Sequence, residues 1–154
     1  QERQAIRPAR VGNQPVIVLP KAPRAAIATH AAADYPNEAC GLLLGRRDGE
    51  DMIVSQAVAS ANVADDPSHR FAIDPGLRLR LQKAARTGTE QILGHYHSHP
   101  DGAAKPSKTD QAGIYEADLV WLIASVRGGQ AGGIAAFMPW ADCGGFDEIE
   151  LRDD

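Results

Sequence analysis

Histidine occupies every second position in Gly94-His95-Tyr96-His97-Ser98-His99-Pro100. Alternate side chains of a β-strand share one face, so an extended chain lines up His95, His97 and His99. The apolar lead-in Gln91-Ile92-Leu93 and the stop at Pro100 predict a strand over 91–97 that closes just after His99. On such a strand neighbouring histidines lie about 6.5 Å apart along the chain, and the outer two about 13 Å. A zinc–nitrogen bond spans only about 2.0–2.1 Å. One ion therefore takes two adjacent members, His95 with His97 or His97 with His99, but hardly all three.

The segment that follows offers a third donor. Pro106 and Ser107 open a predicted helix over 107–117, with Ser107 and Asp110 at the spacing of a capping box. Asp110 thus falls in the first turn, and a chain leaving the strand there can return a carboxylate to the histidine pair. Two histidines and a carboxylate, with a fourth position for water, form a catalytic zinc pattern rather than a closed structural one. Two cysteines, Cys40 and Cys143, are too few for a disulfide framework and read as reduced thiols of a cytoplasmic protein.

Elsewhere strands and helices mix. Residues 1–15 read as a lead-in or linker, and 16–154 as one domain. Strands are predicted at 16–19, 38–47, 52–63, 70–73, 119–126, 132–140 and 146–151, with a hairpin turn at 48–51. Helices are predicted at 23–35 and at 74–88, the latter with Asp74 as N-cap and Pro75 at its first position. This is an α/β pattern with a largely antiparallel sheet. Net charge is −4 and no basic run exceeds a pair, which argues against a nucleic-acid surface. No apolar stretch reaches the roughly 20 residues of a membrane span, and the polar N-terminal QERQAIRPAR lacks the apolar core of a secretion signal.

The run His97-Ser98-His99, then Ser107 and Asp110, resembles the JAMM motif of the MPN-plus zinc metalloproteases. The earlier stretch NEACGLLLG (37–45) resembles that family's glutamate-bearing strand, with Glu38 in the glutamate's place. The likeness runs over about residues 16–150. It implies a single MPN/JAMM-like domain with a curved, mostly antiparallel sheet flanked by helices, and zinc at one edge of the sheet. It also implies roles: His97, His99 and Asp110 as zinc ligands, which sets His95 aside, Glu38 as general acid/base, and Ser107 as an oxyanion donor. The implied reaction is amide or isopeptide hydrolysis after the extended C-terminal tail of a ubiquitin-like protein, by a compact prokaryotic member. Release of an amino acid such as cysteine from a sulfur-carrier protein is the alternative, with an activating-enzyme pathway as the natural partner system. A non-catalytic MPN scaffold is the reading of another class, and its members usually lack the zinc ligands.

Among the remaining polar and aromatic residues, Ser98 reads as a support for a ligand and Cys40 as packing. Cys143 falls in a turn, His30 on a helix surface, and His69 with Arg70 in a solvated loop. His95 reads as a sheet-face neighbour of the site, and Trp121 and Trp140 as core or rim.

Overall fold

The computed structural model describes residues 14–154. Most of the proposed lead-in, residues 1–13, therefore lies outside the described residues. The elements run β1 (Val16–Val18), α1 (Lys21–Asp34), β2 (Cys40–Asp48), β3 (Asp51–Ser60), α2 (Pro75–Ala85), β4 (Gln91–Pro100), α3 (Lys108–Ala112), β5 (Val120–Arg127), β6 (Gln130–Pro139) and β7 (Phe146–Arg152).

The strands close into a barrel in the order β1-β3-β2-β4-β5-β6-β7. Four pairings are antiparallel (β2 with β3 and β4, β6 with β5 and β7). Three are parallel: β1 with β3, β1 with β7, and β4 with β5. The sheet is thus mixed, with antiparallel pairs in a small majority. Closure also removes the outer edge at which the site was expected to lie. The three-residue β1 makes this closure by pairing with β3 on one side and β7 on the other.

β2 and β3 form the predicted hairpin, and Gly49 takes a left-handed φ of 61° in its two-residue turn, a conformation that glycine enters without a Cβ penalty. Gly94 is required for another reason. A Cβ there would sit 2.0 Å from the Val120 carbonyl oxygen, so its absence lets β4 and β5 approach.

The parallel β4–β5 pair governs the site. Parallel neighbours cannot be joined by a tight turn, so the chain must cross back over the sheet. That crossover, residues 101–119, carries α3. One face of the sheet packs with α1 around Ile17, Ile27, Leu43, Leu93, Tyr96 and Leu122. The opposite face of β4–β6 holds a second cluster of Ile114, Trp121, Ile123 and Phe137, with Phe71 and Phe146 against it. Period-two alternation assigns Tyr96 to the first face and the histidines of β4 to the second.

Several expected elements shift. α1 starts at Lys21 rather than Pro23, because proline is tolerated within a first helical turn. α3 stops at Ala112, capped by Gly113, instead of running to 117. Residues 70–73 form no strand: Ile73 makes one isolated bridge to Asn62, and side chains take the nearby backbone groups, Asn62 Oδ1 accepting from Ala72 N and Ser60 Oγ from Asp74 N. α2 keeps its predicted start, with Asp74 accepting from Gly76 N and Pro75 first in the helix. His30 is not a plain surface residue: its Nδ1 lies 2.6 Å from the hydroxyl of buried Tyr96, and its Nε2 3.0 Å from Asp34. No helix among the described residues is long and apolar enough to cross a membrane.

Candidate metal centre

His97 and His99 come from the end of β4, and their Nε2 atoms lie 3.0 Å apart. α3 brings Asp110 over them. One carboxylate oxygen of Asp110 is 3.1 Å from His97 Nε2 and the other 2.9 Å from His99 Nε2. The capping box explains that placement. Ser107 Oγ accepts from Asp110 N, and Asp110 Oδ2 accepts from Ser107 N at 2.9 Å. The cap that starts the helix therefore also aims its carboxylate at the histidines.

Glu38 joins from the chain entering β2. Cys40 pairs with His97 in an antiparallel register, which sets Glu38 beside His99. Its carboxylate and the two histidine nitrogens all lie within 4.8 Å of one another, a cluster able to hold a metal ion. Ser98 supports this side: its Oγ accepts from Ala39 N at 2.8 Å, and its own N–H donates to Ala39 O. Ser98 thus fastens the residue next to Glu38 rather than a histidine.

The electrostatics reflect burial around a convergent donor set. Glu38 is 5% exposed, and one carboxylate oxygen is buried without a hydrogen-bond partner. Burial pushes its pKa up to about 7. Burial likewise holds His97 below its ordinary value, and so neutral. For His99 burial acts in the same direction, but its bonds to Asp110 and to the Ala103 carbonyl outweigh it and raise the pKa. Burial alone would raise Asp110, yet the hydrogen bonds from both histidines hold it well below the usual carboxylate range.

These residues fit a bound cation. His99 Nδ1 lies 2.9 Å from the Ala103 carbonyl, which holds a hydrogen on that nitrogen, so a cation replacing the proton that Nε2 shares with Asp110 would meet a lone pair facing His97 and Asp110. Acceptor atoms about 3 Å apart repel unless a proton or cation sits among them. Tetrahedral zinc with bonds of about 2.0–2.1 Å separates its ligand atoms by roughly 3.3 Å. His97 has no such fastening, since its buried Nδ1 lacks a hydrogen-bond partner. Packing orients it instead: the Phe71 ring stacks on His97 with centroids 4.2 Å apart and planes 16° from parallel.

His95 stands apart from the donors. Its ring meets Trp121 at 4.4 Å and Phe71 at 5.5 Å, and burial drives its pKa down to about 3. Trp121 is buried in the second cluster, and Trp140 bonds Asp147 through Nε1. Cys40 is buried, and burial pushes its thiol up to about 12, which makes it an inert packing group. Cys143 is also free and packs beside the second cluster. His69 is exposed and pairs with Asp66.

Sequence reasoning missed Phe71, the Ala103 carbonyl and Asn62, whose amide bonds the Glu38 carbonyl. No motif marks them. Phe71 stands in an irregular segment, and the other two act through or upon backbone.

The chain is similar to several known proteins. The desampylase of Haloferax volcanii is 34% identical over 98 residues, 64% of this chain and 69% of that protein. The CysO-cysteine peptidase of Mycobacterium tuberculosis is 32% identical over 102 residues, 66% and 68% of the two chains. The probable TtuB-protein conjugate cleaving protease of Thermus thermophilus is 32% identical over 95 residues, 62% of this chain and 61% of that one. The solution structure of a Desulfitobacterium hafniense protein superposes with a TM-score of 0.75 at 33% identity, covering 90% of this chain and 91% of the other. Residues 20–140 match the family described as prokaryotic homologs of the JAB domain, and the chain belongs to that family.

Proposed function

We propose that this protein is a zinc-dependent peptidase that hydrolyses the amide bond after the C-terminal tail of a ubiquitin-like protein, in deconjugation or precursor processing. One observation carries the reading: buried Glu38, with one carboxylate oxygen lacking a hydrogen-bond partner, lies within 4.8 Å of the His97 and His99 nitrogens on which Asp110 converges. His97, His99 and Asp110 would hold the metal. When bound, zinc supplies a Lewis acid that polarises the scissile carbonyl and lowers the pKa of water.

The chain's own residues supply the proton chemistry. Glu38 accepts a proton from the attacking water at its carboxylate and delivers it to the leaving nitrogen. A pKa near 7 suits both halves of that task. Ser107 Oγ already accepts from Asp110 N, so its hydroxyl hydrogen is left to donate to the developing oxyanion. His99 keeps its tautomer through Ala103, and Phe71 covers His97 against water.

Similarity to the desampylase and the TtuB-conjugate protease supports a ubiquitin-like partner. Among the described residues the barrel has no terminal strand, which favours docking of the tail's main chain at strand ends and loops around the site. Similarity to the CysO-cysteine peptidase favours a second reading, release of cysteine from a sulfur-carrier protein. The complete donor set disfavours a non-catalytic scaffold.

The test is digestion of a folded ubiquitin-like protein ending Gly-Gly and fused to a second chain, with the cut located by mass spectrometry. Cleavage after the last Gly is expected, with little action on casein. Comparable digestion of casein would reduce the reading to a broad metallopeptidase.

A further inference from the structure

The segment between β3 and α2, residues 61–74, has little regular structure, yet it forms one wall of the site through Phe71. A single side chain organises it. Asn62 Nδ2 donates to the carbonyls of Glu38 and Arg70, each at 2.9 Å, and more distantly to Pro67 O at 3.4 Å. Asn62 Oδ1 accepts from Ala64 N and Ala72 N, each at 3.1 Å. The amide orientation follows from these partners, because carbonyls surround its nitrogen and N–H groups face its oxygen. Every hydrogen and lone pair of the side-chain amide is engaged.

The partners matter more than their number. Arg70 and Ala72 flank Phe71, so Asn62 brackets the residue that stacks on His97. Glu38 is held on the same amide. One oxygen of its carboxylate is buried and accepts no hydrogen bond, so that atom does not fix the side chain. Its position is set by backbone: Asn62 bonds its carbonyl, Pro67 O accepts its N–H at 2.8 Å, and Ser98 fastens the following N–H.

We propose that Asn62 is a positioning residue of this site, its amide setting the Glu38 backbone and the Phe71 ring against the paired histidines. The proposal rests on the reading of Glu38 as proton shuttle. No other residue type matches the requirement. Aspartate keeps the two acceptors but turns a carboxylate oxygen toward the Glu38 and Arg70 carbonyls. Glutamine is a methylene too long, and alanine leaves four of these backbone groups to water or to one another, while Pro67 O keeps the Glu38 N–H.

The experiment has two arms. In the first, amide hydrogen exchange is followed by NMR in metal-free wild type, Asn62→Ala and Asn62→Asp. Faster exchange at Glu38 in both variants is expected, with loss at Ala64 and Ala72 in Asn62→Ala and unchanged protection at Leu43 and Leu122. Unchanged exchange at Glu38 overturns the proposal. In the second arm, a Gly-Gly-tailed ubiquitin-like protein fused to a fluorescent reporter is the substrate. Asn62→Ala should lower kcat by up to about 100-fold, the scale of an ångström misplacement, with KM little changed. In a Glu38→Gln background the same substitution should cost less than about threefold, since the group it positions is already lost. Equal losses in both backgrounds overturn the proposal and leave Asn62 a loop anchor. Absence of hydrolysis by wild type sinks the reading of function instead, and the exchange arm then decides the role of Asn62 alone.

Discussion

Glu38→Gln separates burial of the proposed proton shuttle from its chemistry, and it can be read without substrate. In the metal-free protein the Glu38 pKa is raised from 4.5 to about 7. A carboxyl raised on folding binds more protons in the native state than in the unfolded one. Wild-type stability from this group is therefore full below pH 4.5 and is lost as pH rises through about 7. At 1.36 kcal/mol per pKa unit the full shift corresponds to about 3 kcal/mol, and linkage puts roughly 1 kcal/mol of it below pH 5. Glutamine is neutral throughout. Its stability advantage over wild type should therefore grow by about 2 kcal/mol between pH 5 and pH 8. Any fixed cost of fitting the amide cancels in that difference. For a domain of this size the change is worth roughly 4–8 °C in Tm. Parallel thermal melts of both proteins in chelator, at pH 5 to 8, measure it. A difference that stays flat across that range would mean the Glu38 carboxylate is solvated or paired, and the buried-shuttle argument fails.

Metal retention separates the histidines: His97→Ala and Asp110→Ala should lose zinc on desalting while His95→Ala keeps it, as read by elemental analysis. Equal loss from the His95 variant would refute the donor assignment. Ser107→Ala should retain zinc and lose about 2–4 kcal/mol of transition-state stabilisation, seen in kcat rather than KM. Its helix start should also weaken, by about 1 kcal/mol, in chemical denaturation. Gly94→Ala should destabilise by several kcal/mol, roughly the tail of the single-substitution range, because its Cβ would collide with the Val120 carbonyl; an unchanged denaturation midpoint would contradict the close β4–β5 approach. Replacing the last Gly of the substrate tail by a bulky residue should block the cut by crowding the carbonyl, with cleavage products followed by mass spectrometry.

Local chemistry was legible in the chain. The period-two histidines put His95, His97 and His99 on one face because strand geometry depends only on neighbouring residues. The Ser107–Asp110 capping box was legible for the same reason, since helix caps close over three residues. Asp74 and Pro75 at the start of α2, and the β2–β3 hairpin, belong to this class. Spacing left two histidine pairs open, and resemblance to the JAMM motif chose between them. What only the tertiary structure decided lies in contacts distant in sequence. The parallel β4–β5 pairing forces the crossover that lowers Asp110 onto His97 and His99. Barrel closure depends on β1 meeting both β3 and β7, a pairing that three apolar residues do not encode by themselves. Phe71 reaches His97 across 26 positions of chain, and Asn62 reaches the Glu38 carbonyl across 24. Such contacts carry no periodic signal, because backbone carbonyls are common to every residue and only the folded chain selects which of them an amide will meet.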